Sequence, residues 1–95
     1  METAKSSGFL SADSLICDAP CVLTGVQLYS DGTNAATLIL YDSQNADGKI
    51  VYKAACLTNA SNSDHRDWVH PIKCNDGLYA DVTGTNAGYI VEYID

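Results

Sequence analysis

The stretch Cys21-Val-Leu-Thr-Gly-Val-Gln-Leu-Tyr-Ser-Asp-Gly-Thr-Asn-Ala-Ala-Thr-Leu-Ile-Leu-Tyr41 decides the fold. In its first half Val22, Thr24, Val26 and Leu28 alternate with Leu23, Gly25, Gln27 and Tyr29, the two-residue period of a β-strand. Asp31-Gly32 then supplies a turn. The second run, Ala36 to Tyr41, sets Leu38 and Leu40 on one side and Thr37, Ile39 and Tyr41 on the other, so it reads as a strand covered on both faces and central in a sheet.

Outward toward the C-terminus the same grammar repeats. Asp47-Gly48 predicts a tight type I′ hairpin turn, since both residues tolerate positive φ, with Lys49 to Leu57 as the return strand. Residues 58–67 are rich in Asn, Ser and Asp and read as an exposed loop. Trp68, Val69 and Ile72 restart the apolar pattern, and Pro71 among them marks an edge strand, because proline cannot donate to an interior ladder. Asn75-Asp76-Gly77 turns the chain into Leu78 to Thr83, with Leu78, Ala80 and Val82 inward, and Gly88 to Ile94 forms the last strand. No window carries a helical period. The expectation is an all-β fold, a small antiparallel β-sandwich, jelly-roll-like or a partly open barrel, of six strands, or seven if residues near Phe9 or Leu15 add one. Gly32-Thr-Asn-Ala35 recurs as Gly84-Thr-Asn-Ala87, which predicts two equivalent turns at one end of the sandwich.

Toward the N-terminus the pattern fades. Residues 1–14 are small and polar except for Phe9 and Leu10, which predicts a flexible N-terminal arm and leaves 15–95 as a single β-sandwich domain. Phe9, Leu10, Leu15 and Ile16 are the candidate partner-contact residues, the ones a neighbouring subunit can grip.

A chain of 95 residues holds one core. Its net charge is −7, and Lys5, Lys49, Lys53, Arg66 and Lys73 are scattered, so the clustered positive footprint of a nucleic-acid binder is missing and an anionic membrane surface is disfavoured. No apolar run reaches the ~20 residues of a membrane helix, and the start lacks the charged-then-apolar order of a secretory signal, which points to synthesis in a cytoplasm. There Cys17, Cys21, Cys56 and Cys74 are expected as buried thiols, with disulfides or a metal site left open.

Candidate chemistry is thin. A nucleophile needs a base and an orienting carboxylate beside it, and nothing around the cysteines, His65 or His70 resembles a nucleophile elbow. His65, among Asp64, Arg66 and Asp67, reads as a solvated surface residue, and His70, between Val69 and Pro71, as a structural one. Cys17-x3-Cys21 has the spacing of half a zinc knuckle without its second half. Asp42, Asn45 and Asp47 offer oxygens before Gly48 but miss the EF-hand pattern. Asn59-Ala60-Ser61 is formally a glycosylation sequon. No metal, cofactor or catalytic residue is expected. Tyr29, Tyr41, Tyr52, Tyr79, Tyr89, Tyr93 and Trp68 form an aromatic set that either packs the core and interfaces or builds a sugar-stacking platform.

Gly25-Val-Gln-Leu-Tyr-Ser-Asp-Gly-Thr-Asn-Ala-Ala-Thr-Leu-Ile-Leu-Tyr-Asp42, with Asp76-Gly-Leu-Tyr-Ala-Asp-Val-Thr-Gly84 and Ile90-Val-Glu-Tyr93, resembles small β-sandwich virion proteins of tailed bacteriophages over a little under a third of the chain. The resemblance implies a capsid decoration or cement protein, made in the host cytoplasm, seated as a homotrimer on the outer capsid surface and binding the major capsid protein. A neck or tail component is the related reading, and a carbohydrate-binding module the alternative. The family supplies no catalytic residue to carry over, and it does not account for four cysteines.

Overall fold

A computed structural model describes residues 3–59 and 63–95. In chain order the strands are β1 (Lys5–Ser6), β2 (Ser14–Cys17), β3 (Cys21–Tyr29), β4 (Ala36–Asp42), β5 (Lys49–Cys56), β6 (Ser63–Cys74), β7 (Leu78–Thr83) and β8 (Gly88–Ile94). β4 pairs with β5, β3 with β6, β2 with β7 and β1 with β8, all antiparallel, so the chain is one long nested hairpin. The hairpin is rolled up, because β3 also pairs with β8 and β4 with β7. Two four-stranded sheets result, sheet A in the order β1-β8-β3-β6 and sheet B in the order β2-β7-β4-β5. This is a jelly roll, the sandwich that the strand spacing predicts. Residues near Leu15 supply the expected seventh strand, and the two-residue β1 is an eighth.

The inner faces bury Leu23, Leu28, Leu38, Leu40, Leu78 and Tyr89 completely. Each such leucine contributes about 1.5–3 kcal/mol by leaving water. β4 lies inside sheet B, as its apolar run predicts, and its outer side chains Thr37, Ile39 and Tyr41 are half-buried by their neighbours in the sheet.

β3 departs from simple alternation. Cys21 and Leu23 face the core, but so do Val26 and Leu28, since the register slips between Leu23 and Gly25 against both neighbours. A bulge adds a residue and flips the phase of everything beyond it. On the β6 side the slip is larger: Ile72 faces Leu23 and Asp67 faces Gly25, so residues 68–71 bow out opposite Thr24. The bow carries Trp68 edge-on against Tyr52, with ring centroids 5.1 Å apart, and Arg66 lies 5.8 Å from the Trp68 ring centre, closing the side of the sandwich where β5 and β6 meet. His70 is exposed on the bow rather than structural.

Other expectations are corrected. Of the polar stretch 58–67, residues 63–67 belong to the edge strand β6; they are held by backbone pairing to β3 and bury no side chain in the core, which is why their composition resembles a loop. Asp47-Gly48 forms no type I′ turn, for neither residue has positive φ. A six-residue loop replaces it, in which Asn45 Oδ1 accepts the Asp47 N–H at 3.0 Å, and Gly48 is required because a Cβ there would collide with Ser43. Of the sequon only Asn59 lies within the described residues.

The expected arm is laid along its own domain. β1 pairs with β8, Leu10 and Tyr89 exchange backbone bonds of 2.9 and 2.8 Å, and the Tyr89 hydroxyl donates to the Ala12 carbonyl at 2.6 Å. Asp13 extends the line, its carboxylate accepting the Val82 N–H at 2.9 Å. The repeated turns do meet at one end, where Asp31 accepts bonds from Thr33, Asn34 and Asn86.

Two substitutions test this arrangement in urea denaturation. Tyr89→Phe removes the tie to Ala12 and is expected to cost about 1 kcal/mol. Thr24 Oγ1, buried at the bulge with no partner among the described residues, makes Thr24→Val stabilising by about 1 kcal/mol.

Candidate functional site

The four candidate contact residues separate into two pairs. Leu10 and Ile16 turn inward and pack against the core. Phe9 and Leu15 remain 63% and 41% exposed, and they lie on opposite sheets. Phe9 lies over the outer face of sheet A because β8 offers it Gly88: a Cβ there would run into the ring. The Phe9 ring also leans on Tyr29, with centroids 5.9 Å apart at 49°. An aromatic side chain is thereby held outward on a rigid seat.

Beside it Tyr29 and Gln27 of β3, with Ser63, Asp64 and His65 of β6, line a shallow cleft of about 130 Å³. The Tyr29 hydroxyl donates to Gln27 Oε1 at 2.6 Å. Ser63, Asp64 and His65 have the residue types of a hydrolase triad, but alternation along a strand sends Ser63 and His65 to one face and Asp64 to the other. Asp64 lies instead near Tyr52 and Cys56; burial first, and then its charge, raises the pKa of both groups. The cleft offers an aromatic face and hydrogen-bonding groups without that relay.

Cys17, Cys21 and Cys74 gather at the other end of β3. Cys21 and Cys74 are direct cross-strand partners, and Cys17 comes in from β2 with its thiol donating to the Ala19 carbonyl at 3.3 Å. Burial, followed by the neighbouring thiols, pushes Cys21 up to about 12, and burial together with Asp42 pushes Cys74 up to about 11. Cys21 and Cys74 are thereby held as protonated, buried thiols, the opposite of a reactive cysteine. Cys56 lies apart, beside the Leu28 carbonyl. All four are free and buried, and among the described residues no three His, Cys, Asp or Glu side chains are arranged to hold a metal ion. Two of the three groups considered for calcium are used in loop closure: Asp42 accepts the N–H groups of Asn75 at 3.1 Å and Asp76 at 2.8 Å, and Asn45 Oδ1 accepts the Asp47 N–H.

The aromatic set is dispersed. Tyr89 is core, Tyr93 packs on it, Tyr52 and Trp68 close the sandwich edge, and Tyr41 and Tyr79 are neighbours on the outer face of sheet B. There Leu15, Tyr79, Tyr41 and Ile50 follow one another across the four strands, with Ile50 47% exposed. Sequence reading missed this row, because it appears only when strands distant in sequence are put in register. The seat of Phe9 on Gly88 was hidden in the same way.

No family model, curated protein or solved structure matches the chain.

The thiol environment predicts that a soluble alkylating reagent leaves the folded protein unmodified at neutral pH, while the urea-unfolded chain takes up four equivalents. Rapid uptake by the folded form would contradict the protonated, buried state.

Proposed function

We propose that this chain is a structural protein of a bacteriophage virion, a decoration protein that binds the major capsid protein on the outside of the head. The observation that carries the reading is Phe9: an aromatic ring 63% exposed yet fixed against Gly88 and Tyr29 is a preorganised anchor of the kind that dominates protein interfaces. The jelly roll supports it by analogy alone, since capsid and lectin domains share this architecture and fold does not choose between functions. The net charge of −7 suits a protein displayed at high local density, where like charge limits clumping. A neck or tail position uses the same anchor at lower copy number. The second reading, carbohydrate binding, draws on the cleft next to Phe9, where the Tyr29 ring adjoins Gln27 and His65.

Co-sedimentation of the purified protein with heads stripped of it separates these readings. Phe9→Ala is expected to weaken head binding by about 2 kcal/mol, some thirtyfold, with thermal stability nearly unchanged. Deleting residues 1–14 is a poorer test, because it also removes the strand and hydrogen bonds that hold β8. Head binding indifferent to Phe9, or saturable glycan binding lost with Tyr29→Ala, would displace the capsid reading.

A further inference from the structure

The outer face of sheet B carries two adjacent rows across its strands. One is the apolar row Leu15, Tyr79, Tyr41, Ile50. The other runs Asp81, Ile39, Lys53, with Asp13 beside Asp81 at its acidic end. The second row is polarised. Burial and the adjacent Asp13 carboxylate raise the Asp81 pKa, so two acids crowd one end. Lys53 stands exposed at the other end, and the ion pair found among the described residues, Lys5 with Asp95, lies elsewhere.

This pattern is complementary to itself. Take a two-fold axis lying in the plane of the face, parallel to β4 and passing over Ile39 and Tyr41. It reverses the left-to-right order of each row in the facing copy and keeps the rows level. Lys53 of each copy then meets Asp81 and Asp13 of the other, Ile50 meets Tyr79, and Ile39 and Tyr41 meet their own equivalents. We propose that two copies of this chain pack face to face through the outer surface of sheet B about such an axis.

Both charged ends of the Asp81–Lys53 row meet opposite charge in that orientation. An in-plane two-fold running along the row, perpendicular to β4, would instead set Asp81 against Asp81 and Lys53 against Lys53. An isologous contact of this kind closes on itself and gives a dimer, not the trimer that the resemblance implies. Twisted sheets pack within about 30° of alignment, so matches on β4 and its immediate neighbours hold best, and Ile39, Tyr41, Lys53, Tyr79 and Asp81 all lie there. The mutual footprint, the three strands β7, β4 and β5 about 4.8 Å apart by some five residues of 3.4 Å, is roughly 14 by 17 Å. At roughly 250 Å² per copy the contact is smaller than a stable interface and of the size of a weak, transient one, so the pair is expected to form and dissociate with concentration. The pairing does not depend on the virion reading, which engages the opposite sheet.

Sedimentation velocity on the full chain over a concentration series tests it. The expected result is a monomer–dimer equilibrium that weakens as salt is raised. Lys53→Asp and Asp81→Lys are each expected to weaken dimerisation about tenfold or more, and the double variant to recover it to within about threefold, because the swap restores the opposed charges. Both positions are on the outer face, and circular dichroism checks that each variant is folded. A monomer at every concentration, a trimer, or a dimer indifferent to both single swaps would overturn the proposal.

Discussion

Everything in this molecule hangs on the nesting of its antiparallel pairs. The β4–β5 hairpin is local, but each pair outside it joins residues farther apart in sequence, ending with Lys5 opposite Tyr93. The pairs only become worth forming once the roll brings β3 against β8 and β4 against β7, because those two contacts create the inner faces that bury Leu23, Leu28, Leu38, Leu40, Leu78 and Tyr89. Loop-closure entropy must therefore be spent before most of the hydrophobic return arrives, which makes this a slow-folding topology. Tyr89 sits where the outermost pairs meet the core: its ring is fully buried, its backbone pairs with Leu10, and its hydroxyl reaches Ala12.

How much of this was legible follows from where the side chains point. β4 and β7 show clean alternation because one face of each is buried and their ladder to each other is unbroken, the slips lying against β5 and β2, and Leu38, Leu40, Leu78 and Ala80 are inward as the pattern requires. β3 defeats the same reading, since the Thr24 bulge changes the phase midway and one strand ends up with core residues at both odd and even positions. The first half of β6 escaped notice because an edge strand held by its backbone needs no apolar side chains. β1 escaped for the same reason, being two exposed residues that pair with β8 through their backbone, with Lys5 adding an ion pair to Asp95.

Surface function is less legible still. Phe9 and Leu15 are visible in the sequence as apolar residues in polar company, but only the structure reveals that they face opposite ways and that Leu10 and Ile16 are core packing. The row ending in Ile50 requires register across four strands, information that no window of the sequence contains. With the four thiols buried and Asp31 and Asp42 bonded within loops, the surfaces proposed for contact are the two outer faces: an anchored aromatic beside a polar cleft on sheet A, and the apolar row on sheet B.

The central claim, that the chain is a component of a phage particle, is tested most directly by counting it. Quantitative mass spectrometry of purified particles from its source, referenced to the major capsid protein, should find on the order of hundreds of copies per particle, the multiplicity of a symmetric shell. Absence of the protein from the particles would contradict the account.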